Sequence, residues 1–359
     1  MRDFDIAVTG AGPAGATFAR LAAKNGLSVL LADGQSELSR KPCGGLLAPD
    51  AQNVLAGMKL TLPKEVLVDP QIFSVKVYDA KTHLTRFYPR RYLNMERLRF
   101  DRWLISLVPD RVEIKAGRVT HIERQGEGFG LTFGDGEKLF CRALVGADGG
   151  NSAVRKFFLS ENMKKDKIKR YTAIQQWFAD DGRSEPFYSC IFDGETSPSC
   201  SWSAYKDGLI MFGGCFPGKD CRKAFERQKA KLIADGILPF DGEKAIKTEA
   251  CLVCSPGKQS DFVTGGNGVF LIGEAAGFVS PSSYEGISYA LDSGRLLSVA
   301  FESTKRGDLA DLSQVADTYG KLTAPIRRRL LLKDIKRRVI FSQATRNIIL
   351  RTGIASLRI

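Results

Sequence analysis

The 359-residue chain is 43% hydrophobic and 26% charged, which excludes a disordered polymer and leaves room for two or three domains, or one discontinuous domain carrying a large insertion. Its net charge of +13 is gathered at one end: from Lys321 to Ile359 eleven Lys or Arg residues accompany a single acid, Asp334, a net of +10 that leaves +3 for the other 320 residues. No window approaches about 18 uninterrupted apolar residues, so no bilayer-spanning helix is expected. A strand that begins at Phe4 is expected to leave no room for a secretory signal, so the eight scattered cysteines read as free thiols of a cytoplasmic protein. Cys251-x-x-Cys254 has no second pair and the two histidines, His83 and His121, stand far apart, so no metal site is expected.

Phe4 to Thr9 is an apolar strand that runs into Gly10-Ala11-Gly12-Pro13-Ala14-Gly15. A helix, Ala16 to Asn25, then leads to a second apolar run, Val29 to Ala32, closed by Asp33. This is the pattern of a dinucleotide site. Gly10 permits the tight turn, Gly12 lets backbone N–H groups approach a diphosphate, and Gly15 lets the helix pack closely on the sheet. The diphosphate sits at the helix N-terminus, and Asp33, 23 residues after Gly10, is placed to accept ribose hydroxyls.

Beyond residue 70 the texture changes. Ile72 to Asp79 and Leu84 to Tyr88 alternate as a hairpin of a different sheet, and a helix follows from Met95 to Leu107 behind the cap Asn94. Val112 to Ile122, Gly130 to Phe133 and Lys138 to Val145 are strands with Gly-rich turns, the last ending in Gly146-Ala147-Asp148-Gly149-Gly150. Aromatic-rich strands fill Tyr171 to Cys254, broken by a helix near Cys221 to Ala234. Gly268 to Gly273 is another short strand, and Glu274 to Glu302 a loop and a long helix. Near the end, Ile326, Leu330, Leu331, Ile335, Val339 and Ile340 recur at helical spacing between Arg327-Arg328-Arg329 and Lys336-Arg337-Arg338. This basic amphipathic helix is either docked by its apolar face or laid on an anionic membrane surface at the inner face of the membrane; no nucleic-acid fold accompanies the charge, and no nucleic acid is expected. The expected organisation is a discontinuous nucleotide-binding domain (1–70, 94–165 and 262–305), a β-sheet substrate domain (71–93 and 166–261) and a basic helical segment (306–359).

The three nucleotide-domain stretches together resemble the FAD-dependent group that includes para-hydroxybenzoate-type aromatic hydroxylases, flavin halogenases and geranylgeranyl reductases. Gly10 to Gly15 with Asp33 matches the ADP-binding turn, and Asp148-Gly149 within Gly146 to Arg155 matches the second fingerprint. Ile272-Gly273-Glu274-Ala275-Ala276-Gly277 matches the third, which lies against the flavin ribitol and usually carries aspartate where this chain has Glu274. Arg97, in Arg97-x-x-Phe100-Asp101, resembles the helix arginine directed at the FAD diphosphate. The resemblance covers nearly the whole chain. It implies FAD, and an α/β fold with a Rossmann-like, discontinuous FAD-binding domain of para-hydroxybenzoate hydroxylase type, an inserted mostly antiparallel β-sheet substrate domain and a C-terminal helical segment.

Within that group, Lys41-Pro42-Cys43-Gly44-Gly45-Leu46-Leu47 and the run from Pro281 to Glu285-Gly286-Ile287 are similar to the geranylgeranyl reductase branch. The branch implies that Gly44 and Gly45 let backbone approach the flavin ring and that N–H groups around Gly286 and Ile287 face its pyrimidine. It implies reduction of carbon–carbon double bonds in a polyprenyl, isoprenoid-like lipid by hydride from reduced FAD. Cys43 and Tyr284 are candidate proton donors, each equally readable as structural. Where the branch often carries Tyr-x-Trp-x-Phe-Pro, this chain reads Cys200-Ser201-Trp202-Ser203-Ala204-Tyr205. Only the tryptophan is kept, so the substrate does not carry over. Trp202, Tyr205 and Trp177 are the candidates for the substrate wall. Two alternatives stay open: a flavin monooxygenase acting on an aromatic or lipid substrate, and a flavoprotein that binds a lipid carrier with little turnover. No second Gly-x-Gly-x-x-Gly unit is present, which leaves NAD(P)H, a ferredoxin or a quinol as the electron donor.

Overall fold

The computed structural model describes residues 2–34, 41–180, 182, 185–240, 244–306 and 309–353. Its first sheet is built on five parallel strands in the order Val269–Leu271, Lys138–Gly146, Arg2–Thr9, Val29–Asp33 and Glu113–Ala116. The central runs Ile6-Ala7-Val8, Val29 to Ala32 and Ala143-Leu144-Val145 are buried without alternation, as expected of parallel strands covered on both faces. Thr9 lies opposite both Gly146 and Ala32, and Gly146 opposite Leu271. Four strands therefore end level, and the turns that follow them gather along one carboxyl edge, where open α/β sheets bind ligands.

The expected strand from Val112 to Ile122 is divided at Gly117, whose φ is +136°. Glu113–Ala116 completes the parallel sheet, and Val119–Gln125 turns away to pair antiparallel with Gly128–Phe133. The next helix is Arg97–Ser106, and Glu96 caps it, accepting from the Arg99 N–H at 2.7 Å. Asn94, expected in that role, is fully buried instead; its Nδ2 donates to the carbonyls of Pro70 at 2.7 Å and Tyr205 at 2.9 Å.

The second sheet has the order Lys247–Ser255, Lys169–Ala179, Leu209–Phe216, Ser201–Lys206, Phe187–Phe192, Ser74–Asp79 and Thr85–Pro89. All its pairs are antiparallel except Phe187–Phe192 with Ser74–Asp79. One face packs Phe178, Phe212 and Phe216 against Phe225 and Leu232 of the helix Cys221–Ala234. The other presents Ala173, Trp202, Ala204, Cys215 and Val253.

Three helices, Leu312–Leu322, Ala324–Phe341 and Gln343–Thr352, end the described chain. Arg346, buried, pairs with the fully buried Asp79 of the second sheet, donates to the carbonyls of Ile340 at 3.0 Å and Phe341 at 3.2 Å, and lies 5.1 Å over the Phe192 ring. The basic segment is thus docked. Its apolar residues do not share one face, however. Ile326, Leu330 and Ile340 are buried, whereas Ile335 is 60% and Val339 46% exposed. At about 100° per residue the exposed pair stands roughly half a turn round the helix from Ile326 and Leu330.

Removing the guanidinium leaves the Asp79 carboxylate buried and uncompensated. Arg346→Ala is expected to lower unfolding stability by about 3–5 kcal/mol, and the double variant Asp79→Asn/Arg346→Met to recover more than half of the loss, both read as denaturant midpoints.

Candidate active site

The first turn on the carboxyl edge is shaped by close backbone approach. Gly10 has φ +101°, and a Cβ there would stand 2.6 Å from the Ala147 carbonyl; a Cβ on Gly15 would collide with the carbonyl of Gly10. Gly12 differs. It is the N-cap of helix Pro13–Lys24, it has no side chain to cap the first N–H groups, and a Cβ on it would meet no protein atom within 4 Å. It borders a cavity of about 820 Å³, with Pro13, Ala14 and Asp33 beside it. An uncapped helix N-terminus open to a cavity is an anion site. Arg118 joins this end from beyond the Gly117 break. Only the path of the chain after Gly117 brings it there.

The next two turns form the middle of the same cavity. Asp148 accepts from the Ala153 N–H at 2.6 Å through one oxygen, and its Oδ1 is buried with no hydrogen-bond partner. Gly149, at φ +76°, again leaves open space where a Cβ would be. Arg97 reaches the cavity from the start of its helix, its Nε donating to Asp101 at 2.8 Å. Glu274, in the 3₁₀ turn Gly273–Ala276, lines the cavity and is held by partners on both oxygens. One carboxylate oxygen pairs with Lys41 and the other accepts from the Cys254 N–H at 2.7 Å. The longer side chain carries the carboxylate to the second sheet, where it braces the cavity.

At the far end, Gly45 sits at φ +59°, and its N–H lies 3.3 Å from the Cys43 Sγ. Its carbonyl accepts from Met95 N–H at 2.9 Å and from the Lys206 ammonium at 3.1 Å. Lys206 also donates to the Met95 carbonyl at 2.8 Å and to Asn94. Burial pushes its pKa down to about 7. Lys206 was missed in the sequence, although it follows Trp202 and Ala204 at strand alternation and so shares their face. Across from this turn, residues 280–286 form a loop closed by Ser280 N–H on the Glu285 carbonyl at 2.9 Å. It places Gly286 at the N-cap of helix Ile287–Ser303, again without a side-chain cap of its own, and Gly286 and Ile287 line the cavity. Two helix N-termini therefore point into one space.

Between these ends and the second sheet lies a chamber walled by Val75, Ala173, Tyr188, Cys200, Trp202 and Cys215. The Trp202 indole N–H donates to Gln175 at 2.8 Å, and the ring lies across Gly213 of the neighbouring strand, where a Cβ would stand 2.7 Å from it. Cys43 and Tyr284 also line the cavity. Tyr205 does not. Three residues from Trp202, it points to the opposite face of the strand and packs in the core under helix Cys221–Ala234. Trp177 borders an adjoining space of about 180 Å³, which shares Gly12, Cys43, Gly45 and Arg97 with the main cavity, its N–H on Glu249 at 3.0 Å. Cys190 and Cys215 are not signalled as site residues by the sequence; strand pairing gathers them with Tyr188, Cys200 and Cys251 along the cavity. Among the described residues no cluster of His, Cys, Asp or Glu is arranged to hold a metal.

Lys206 binds a proton more weakly in the folded protein, near pH 7, than in the unfolded chain at 10.5. Between those values the unfolded state holds the extra proton, so stability should rise with pH, by up to about 1.4 kcal/mol per unit. Lys206→Met should flatten that rise, as read from unfolding midpoints across the window.

The FAD binding domain family matches residues 3–331. Protein CbrA of Escherichia coli O9:H4 (strain HS) is 42% identical over 99% of this chain and 95% of its own length. Among solved structures, a geranylgeranyl bacteriochlorophyll reductase-like protein from Thermoplasma acidophilum superposes with a TM-score of 0.77 at 19% identity, covering 97% of this chain and 90% of that one. The flavin-dependent brominase Bmp2 gives 0.68 at 20% identity, covering 97% and 92%. The cavity fits FAD: the open space at Gly12 and Gly149, the orphaned Asp148 oxygen, the uncapped end of helix Pro13–Lys24 and the glycine at the start of helix Ile287–Ser303 are what a diphosphate, a ribose chain and an electron-accepting ring require. Gly10 to Gly15, Asp33, Arg97, Asp148 and Gly149 would hold the nucleotide end, and Cys43 to Gly45 with Gly286 and Ile287 the ring, where it would supply hydride chemistry. The chain belongs to the FAD binding domain family, an oxidoreductase fold of para-hydroxybenzoate hydroxylase type whose cofactor is FAD.

Proposed function

We propose that the protein reduces carbon–carbon double bonds of a polyprenyl-type lipid. The observation that supports this reading most is the chemistry of the chamber: its walls are apolar or thiol-bearing, with the Tyr188 and Tyr284 hydroxyls among them. Burial raises the pKa of the Tyr188 and Tyr284 phenols and the Cys215 thiol, so these groups line the chamber uncharged, whereas a hydrogen bond with Cys190 lowers that of Cys200. Reduction of an isolated double bond needs one hydride, one proton and a dry apolar channel. Two cavity-lining segments, residues 41–46 and 283–287, lie within the runs that resemble geranylgeranyl reductases.

FAD, reduced by a nicotinamide nucleotide, a ferredoxin or a quinol, would supply the hydride. Trp202 lines the path of the lipid chain, and Tyr284 or Cys43 holds the proton for the second carbon. A monooxygenase is the competing reading, because one fold hosts both chemistries.

The deciding experiment is anaerobic: the dithionite-reduced protein is mixed with polyprenyl alcohols and phosphates, and products are followed by mass together with flavin reoxidation. Products heavier by two hydrogens with matching reoxidation are expected. Products heavier by one oxygen, formed after air is admitted, would establish the monooxygenase, and tight lipid binding with neither product a binding protein.

Gly12→Phe should purify folded but colourless, since a Cβ there meets no protein atom within 4 Å and the ring would take up space in the cofactor cavity; a yellow variant overturns the site. Trp202→Ala should keep FAD and lower kcat/KM by about tenfold or more. Of Tyr284→Phe and Cys43→Ala, the one that removes the proton donor should lower turnover by about 10²-fold or more with FAD absorbance unchanged.

A further inference from the structure

The docked helix Ala324–Phe341 leaves a second apolar stripe uncovered. Leu332 is 66%, Ile335 60% and Val339 46% exposed, at spacings of three and four that put them on one line. Arg328 lies on the same arc, Arg338 flanks it on one side, and Arg329 and Lys336 on the other. We infer that this outer face is a docking surface for an anionic phospholipid bilayer.

An apolar line edged by cations on a convex helix is built to lie in a membrane interface, with the side chains among the acyl boundary and the cations among the headgroups. No helix among the described residues is long and apolar enough to cross a membrane, so contact would be peripheral. A second copy of the chain fits poorly, because pairing two such faces opposes their arginines. The Arg346–Asp79 pair ties the following helix to the second sheet, and Ile326 and Leu330 are buried on the opposite side, so the face belongs to a docked helix.

The same helix borders the active-site cavity on another side. Lys333 lines the cavity, its ammonium 5.3 Å over the Tyr289 ring, together with Arg90, Tyr92 and the exposed Asp50. Burial and then the neighbouring charges of Lys333 and Arg90 lower the Lys336 pKa, which marks a cationic cluster beside the cavity. A protein seated on a bilayer by the stripe would hold this cationic border close to the lipid.

The test uses the full-length oxidised holoprotein, co-sedimented with phosphatidylglycerol/phosphatidylethanolamine vesicles and, separately, with phosphatidylcholine vesicles, in low and high salt. Binding to the anionic vesicles that weakens with salt is expected. Leu332→Ser/Ile335→Ser/Val339→Ser should reduce it about tenfold or more, and Arg328→Gln/Arg329→Gln about fivefold per cation. All variants should keep the FAD absorbance, since none of these residues lines the cofactor cavity. Absent binding, equal binding to neutral vesicles, or binding unchanged in both variants would overturn the inference. A salt-stable dimer that the triple variant dissociates would assign the face to a second copy and overturn it too. The readout needs neither substrate nor turnover, so it stands or falls apart from the proposed reaction.

Discussion

The close packing of helix Pro13–Lys24 on helix Ile287–Ser303 decides where the cofactor can lie. A Cβ on Gly294 would stand 2.5 Å from the Ala14 carbonyl, so the two helices approach at backbone distance. That approach fixes the two N-termini relative to each other and opens both into one cavity. Each helix begins at a glycine; the first end has no side-chain cap, and at the second Glu285 accepts from the Ser288 N–H at 2.9 Å. One meets the turn that suits a diphosphate, the other the loop that suits an electron-rich ring. Separate helix ends would make two weak anion sites; joined in this way they make one elongated dinucleotide site.

The second sheet is tied to this frame by buried polar groups. Lys206 reaches out of its strand to the carbonyls of Gly45 and Met95, Asn94 reaches back to the Tyr205 carbonyl, and Glu274 bridges Lys41 and the Cys254 N–H. Each such group is costly to bury and becomes tolerable because its partners are positioned. The ties cross from one sheet to the other around the cavity. They hold the turn at Cys43 to Gly45 against the wall that carries Trp202, which an apolar contact alone would define less sharply.

The C-terminal helices show how docking divides a pattern that looks uniform in one dimension. Ile326, Leu330 and Ile340 complete cores already present, and Arg346 closes the attachment through Asp79. What remains, Leu332, Ile335 and Val339 among arginines, is left outward, about half a turn round the helix from Ile326 and Leu330.

The strand, the glycine turn and Asp33 were legible because each is set by conformational rules that act over a few residues: a left-handed Gly10, an open Gly12, a helix that begins at Pro13. The family, its fold and FAD followed from such local signals occurring in order. The sequence also pointed to Trp202. It did not exclude Tyr205, because the face on which a strand residue falls depends on which strands pair and what covers them, and the helix Cys221–Ala234 settles that. Nor did it find Lys206, Cys190 or Cys215, which come together around the cavity through strand pairing alone. Glu274 took its partners from two remote segments, and the exposed stripe of the last helices was defined by what the rest of the molecule had already covered. Local geometry is written residue by residue; the company a side chain keeps is decided by packing over the whole chain.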